Sequence, residues 1–207
     1  MGKFLTVILL LLIGVAVLGV TSYNGLVSAD EGVAAKWAEV ENQYKRRSDL
    51  VPQLVETVKG AADFEKSTIT EVTEMRAKIG QVQIPEGGPQ SQEQLEEFMK
   101  NQDALGQSLG RLIMVSENYP ELRATDAFRD LQAQLEGNEN RIGVARRDYV
   151  DSLRKFNTGV RSFPKNFLAG YFGFESKPQL AFDESVQEVP SINFGSGSPA
   201  GSSETGK

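Results

Sequence analysis

Five carboxylates crowd one stretch of this chain: Glu56, Asp63, Glu65, Glu71 and Glu74. Acids at that density can act as a general acid and base pair, or hold a divalent cation through oxygen ligands. Their spacing is not that of a calcium loop, and the sequence carries no phosphate-cradling loop, dinucleotide turn or Gly-x-Ser-x-Gly elbow. The chain contains no histidine and no cysteine. A Ser-His-Asp triad, a histidine base, a thiol nucleophile, a disulfide and the Glu-x-x-His sites of di-iron bundles all require one or the other. The sequence therefore points away from an enzyme, and no catalytic, cofactor-binding or metal-ligating residue is assigned.

Three polar groups remain as candidates for interaction or structure. Asn138 falls on an apolar seam. There it either joins Gln102, Glu65 and Glu139 in a polar pocket or fixes helix register at some cost in stability, the second being the stronger reading. Arg46 and Arg47 precede Ser48-Asp49-Leu50-Val51-Pro52. They suit the end of a helix, where cations complement the dipole; the alternative is an ion pair with an acid from a neighbouring helix or with a partner. Glu139, Arg141, Arg146 and Arg147 could bind an anion together, but such charges on one helix more often form a solvated face with ion pairs worth under ~1 kcal/mol each.

The elements that must position these residues are helices. Val33, Trp37, Val40, Tyr44 and Arg47 recur at three-and-four spacing, which predicts a first helix ending near Arg47. Proline is disruptive inside a helix and comfortable in its first turn, and Ser48 or Asp49 can cap a new start. Residues 46–52 are therefore predicted to be a tight turn between antiparallel helices. Leu54, Val58, Ile69, Val72, Met75 and Ile79 mark the second helix, ending before the loop Ile84-Pro85-Glu86-Gly87-Gly88-Pro89. Ser91 to Tyr119 makes the third, with Ser91 and Gln94 placed as a capping box. The fourth starts at a Thr125 cap and carries Phe128, Leu131, Leu135, Asn138, Ile142, Ala145, Tyr149, Ser152, Phe156, Gly159 and Phe163 as its seam. Nothing alternates with period two. The fold expected is all-α: a single amino-terminal transmembrane helix, an antiparallel four-helix bundle of long, coiled-coil-like helices, then a disordered tail.

That transmembrane helix is residues 4–20, a charge-free run. At ~1.5 Å per residue it covers roughly 25 Å, the short end of what spans a bilayer. Val27-Ser28-Ala29 resembles a signal cleavage site, yet it lies well beyond the run, and Tyr23 is placed as an interfacial aromatic. A retained anchor is the stronger reading; a soluble periplasmic or secreted binding protein cleaved near Ala29 is the alternative. Lys3 and the amino terminus outweigh Lys36, favouring an amino terminus in the cytoplasm. The chain of 207 residues has 28 acidic against 22 basic side chains, net charge −6, and duplex binding draws its affinity from basic residues, so nucleic acid is not a partner. The domains read as an anchor over 1–27, a bundle with a short aromatic segment over 28–174, and an acidic then Gly/Ser-rich tail over 175–207. Phe163, Phe167, Tyr171, Phe172 and Phe174 in that aromatic segment either close the open end of the core, the favoured reading, or lie on the membrane.

The motifs Tyr23-Asn24-Gly25-Leu26-Val27, Arg46-Arg47-Ser48-Asp49-Leu50-Val51-Pro52-Gln53-Leu54-Val55-Glu56, and Glu136-Gly137-Asn138-Glu139-Asn140-Arg141 through Tyr149, with Phe156-Asn157-Thr158, Phe163-Pro164 and Phe172-Gly173-Phe174, resemble the LemA family. The resemblance covers roughly residues 5–194. Ala62, Phe64 and Asp148-Tyr149-Val150 depart from its usual pattern. It implies a single-pass protein of the bacterial inner membrane bearing a four-helix bundle, with no established catalytic site. It also implies an amino terminus outside, opposite to the charge count. The expected function is a non-catalytic scaffold or protein-interaction module at the cell envelope. Its partners are the lipid bilayer and a protein the sequence does not identify; cofactors are none, and oligomeric state is left open.

Overall fold

A computed structural model describes residues 2–60, 65–85 and 87–179. The tail from 180 onward, including the Val189–Phe194 island, lies outside the described residues, as do Ala62, Asp63 and Phe64. All regular structure among the described residues is helical: α1 (Gly2–Lys59), α2 (Lys66–Ile79), α3 (Gln92–Ser116), α4 (Pro120–Arg123), α5 (Asp126–Arg161) and α6 (Lys165–Phe172).

The first 20 or so residues of α1 stand bare, and this is the one described helix long and apolar enough to cross a membrane. Further along, α1 turns Leu26, Val33, Trp37, Val40 and Tyr44 into a core shared with Leu95 and Phe98 of α3 and with Ile142 to Val160 of α5. A second core lies beyond it, built from Leu50 to Val58, Val72, Leu105 to Leu112 and Phe128 to Leu135. This order of contacts sets the directions: α3 runs with α1, whereas α2 and α5 run against it. The apolar seams of the sequence are those that meet, except at the end of α5. There Leu153 and Val160 are buried in place of Ser152 and Gly159.

The caps form as their residue types dictate. Ser91 Oγ accepts from the Gln94 amide at 3.3 Å, and Thr125 Oγ1 accepts from the Phe128 amide at 3.3 Å. Gln94 completes its box one residue early, accepting from the Gln90 amide at 2.9 Å. Between α2 and α3, Gly88 takes φ +105°, and a Cβ there would stand 3.1 Å from Trp37 Cγ. Only glycine offers both the conformation and the clearance. Trp37 is thereby covered by backbone on one side and edged by Phe98 and Tyr149, ring centroids 5.1 and 5.2 Å away, on others.

Two expectations are corrected. Residues 46–52 are no turn: α1 passes straight through, with Pro52 inside it on an exposed face. The reversal comes only after Lys59, before α2 starts at Lys66. Proline removes the amide that would bond to the Ser48 carbonyl, and Arg76 Nε of α2 donates to that carbonyl instead, at 3.0 Å. Asp49 consequently caps nothing and lies exposed in mid-helix. The aromatic segment, secondly, does not close the core as a whole. Ala169 is buried, Phe174 is partly so and Phe172 rests on Tyr23 with ring centroids 4.7 Å apart. Phe163, Phe167 and Tyr171 instead point into the surroundings.

Candidate functional site

Between the two apolar cores lies a layer of polar side chains, one contribution from each long helix. Arg47 arrives from α1 because it continues the seam of Val33, Trp37, Val40 and Tyr44, and it is only 3% exposed. A charge so placed must be paired and hydrogen-bonded, or its desolvation would cost several kcal/mol, on the order of a fifth to a half of a domain's net stability. Its Nη1 meets Glu139 Oε1 of α5 at 2.8 Å. Its Nη2 donates to the Gln102 carbonyl at 2.6 Å and to Gln102 Oε1 at 2.9 Å. The guanidinium also covers the Tyr44 ring, 5.0 Å from the centroid. Gly106 makes the approach possible: a Cβ there would come within 3.2 Å of Arg47 Nη1.

Beside this cluster, Asn138 is wholly buried, and its Nδ2 donates to the Gln43 carbonyl at 3.1 Å and to Gln43 Oε1 at 3.3 Å. Its Oδ1 is buried and unpartnered, as are Arg47 Nε and Arg146 Nε. An open groove of ≈590 Å³ adjoins the layer, lined among others by Met99, Lys100, Asp103, Gln107 and Arg146.

Burial pushes the Tyr44 hydroxyl upward, with the charges of Arg146 and Arg47 opposing it. Tyr149, against Trp37, is pushed up to about 12 by burial alone. Outside the layer, the hydrogen bond and attraction between Lys36 and Asp148, 2.8 Å apart, raise the lysine and lower the aspartate.

Of the residues singled out in the sequence, the structure unites Arg47, Gln102 and Glu139, while Asn138 turns to Gln43. Glu65 is elsewhere, at the start of α2 with Ser67. Arg47 is thus the interhelix ion pair and not a cation at a helix end, since the helix does not end there. Arg46, Arg141 and Arg147 stay exposed, and Arg146 is half-buried on the groove. The acidic cluster is dispersed: Glu56 pairs with Lys59 and Glu71 with Arg111, each at 2.8 Å. Among the described residues no group of three acids is placed to hold a metal ion.

One constellation went unread in the sequence. Asn157 brackets the backbone of Lys177, donating to its carbonyl and accepting from its amide, both at 2.9 Å. Lys177 in turn reaches Asp30 at 2.7 Å and covers the Phe156 ring. This pins the segment after α6 across α1 and α5. Nothing in spacing links positions 30, 157 and 177; the only signal was Asn157 beside a seam aromatic.

A helical body on one long, partly bare apolar helix, knit at mid-height by the buried Arg47 and Gln102 with Glu139 at the rim, defines the class. Residues 36–194 match the model of the LemA family, and the chain belongs to that family. It is also similar to magnetosome protein MamQ 2 of Paramagnetospirillum magneticum, 28% identical over 172 residues, covering 74% of this chain and 62% of the relative. The MamQ magnetosome protein of Magnetospirillum gryphiswaldense is 26% identical over the same shares, and protein LemA of Metamycoplasma hominis 23% identical over 60% of this chain and 53% of its own. The chain thus spans less than two thirds of the length of these relatives.

Proposed function

We propose that this protein is a membrane-anchored, non-catalytic scaffold, a helical body held off a bacterial membrane by its own first helix so that it can engage another protein. The observation that carries this reading is that the folded body uses residues upstream of the possible cleavage site. Ser22 and Leu26 are buried, and Leu26 belongs to the first core. Cleavage after Ala29 would strip both away and leave Phe172 without its Tyr23 partner. That supports retention of the run 4–20 as an anchor over a soluble, secreted form. The charge count near the run favours an amino terminus in the cytoplasm and a body outside.

Intact mass of the chain extracted from membranes tests the anchor: the full mass is expected, and loss of the first 29 residues would sink it. The scaffold role is tested in the same membranes by a photoreactive residue replacing Gln107, on the groove beside Arg146. Discrete protein adducts at this position, absent when the residue replaces the distant Glu117, support docking. Equal labelling at both positions rejects it.

A further inference from the structure

We propose that α6 is an interfacial foot, lying in the headgroup layer of the same bilayer that holds the run 4–20; the inference rests on the anchored reading above. Its inner face is fixed. Ala169 is buried, the Phe172 ring packs tilted against Tyr23, and Lys165 Nζ lies 3.9 Å from where a Cβ on Gly25 would stand. The Phe174 amide closes the helix on the Ala169 carbonyl at 2.9 Å, a bond that needs Gly173 at φ +76°. The outer face is apolar and uncovered. Phe163, Phe167 and Tyr171 are 81%, 71% and 83% exposed, and the rings of Phe163 and Phe167 touch edge to face with centroids 6.0 Å apart.

The occupant of that face follows from its height on α1. Tyr23 is three residues past Val20, about 4.5 Å along the helix, whereas each interfacial layer is roughly 5–8 Å deep. Helix α6 rests at that level, where aromatic rings with one wet edge are favoured. Charge agrees. Arg161 and Lys165 flank Phe163, and no acidic residue lies from Arg161 to Phe174, although the net charge of the chain is −6. Basic side chains beside exposed aromatics suit the phosphates of anionic lipid. A water-facing patch of three bare rings has no such complement.

The absence of cysteine makes the test site-specific. Single substitutions Leu11→Cys, Gly170→Cys and Met114→Cys in the full chain each receive a spin label, in vesicles of phosphatidylcholine and phosphatidylglycerol. A Cβ at Gly170 meets nothing within 4 Å, so this label joins the outer face of α6 with every ring in place. Relaxation by oxygen, which concentrates in lipid, is compared with relaxation by a water-soluble nickel chelate. The expected oxygen-to-nickel ratio at 170 is several-fold above that at Met114 and below that at Leu11. A ratio at 170 equal to that at Met114 overturns the foot and leaves the anchor standing. A label at 170 shielded from both reagents also overturns it, because protein then covers the face. A water-like ratio at Leu11 rejects the anchor itself.

Discussion

Arg76 supplies to the Ser48 carbonyl, at 3.0 Å, the donor that Pro52 withholds. The bond joins two helices and also repairs one of them, so an internal proline is tolerated without ending α1.

This makes Arg76 and Pro52 energetically coupled. Arg76→Ala is expected to cost about 1 kcal/mol, the usual net worth of such a bond. In a Pro52→Ala background the amide returns, the carbonyl no longer needs Arg76, and the same substitution should cost close to nothing. A double-mutant cycle by urea unfolding in detergent checks this; strictly additive effects would show the arginine to be incidental.

Arg47 should behave as a buried, paired charge. Arg47→Ala strands Gln102 and opens a void, with a loss of about 2–4 kcal/mol expected, while the half-exposed Glu139 returns to water. Arg47→Met keeps volume and should lose far less. Gly106→Ala provides the cross-check. Alanine normally gains up to about 1 kcal/mol in a helix, but beside Arg47 Nη1 it should gain nothing, the gain appearing only with Met at 47. If Gly106→Ala stabilises the native chain fully, the close approach is unimportant.

Asn138→Leu is expected to keep the fold and raise the melting temperature, because the amide leaves its own Oδ1 unpartnered in the core. Gln43 loses a 3.1 Å bond at its carbonyl, which stays within the helical ladder of α1, and a 3.3 Å contact at its side chain. What should suffer is uniqueness of helix register, visible as broadened amide resonances. A drop in melting temperature would place Asn138 in a network worth more than its register role.

Stability should fall in alkali through Tyr149. Its hydroxyl is raised from 10.0 to about 12 in the folded chain by burial. The unfolded chain therefore releases this proton first. The contribution is intact below pH 10 and is lost as pH rises towards 12. Urea midpoints of Tyr149→Phe should decline less over that window than those of the native chain; parallel declines would remove Tyr149 as the cause.

Much of this architecture was readable because apolar spacing reports burial directly. Trp37, Tyr44, Leu105, Ile142 and Tyr149 all sit in the cores that their periodicity announced. Arg47 continues the seam of α1, but Pro52 five residues on reads as a helix end and masks its burial. The repair of that proline comes from a residue 28 positions from Ser48, and no local pattern encodes it. The bond between Asn157 and Lys177 and the ion pair of Lys177 with Asp30 are likewise products of tertiary placement. Phe163 fits the heptad of α5, but that helix stops at Arg161 and leaves the ring outside.

Since α1 is unbroken from Gly2 to Lys59, orientation within the bilayer and position above it become one variable. The 37 steps from Ser22 to Lys59 make a lever about 56 Å long, and a tilt of about 20°, ordinary for a spanning helix, carries its tip sideways by about 19 Å. An apolar run of roughly 25 Å cannot match a core of about 30 Å by tilting; the bilayer thins around it, and its angle is set by interfacial side chains such as Tyr23 and by whatever packs beside it. Whatever fixes that angle at the bilayer surface also fixes where the far end of the body stands, and a foot resting on one side would make the swing unequal in its two directions.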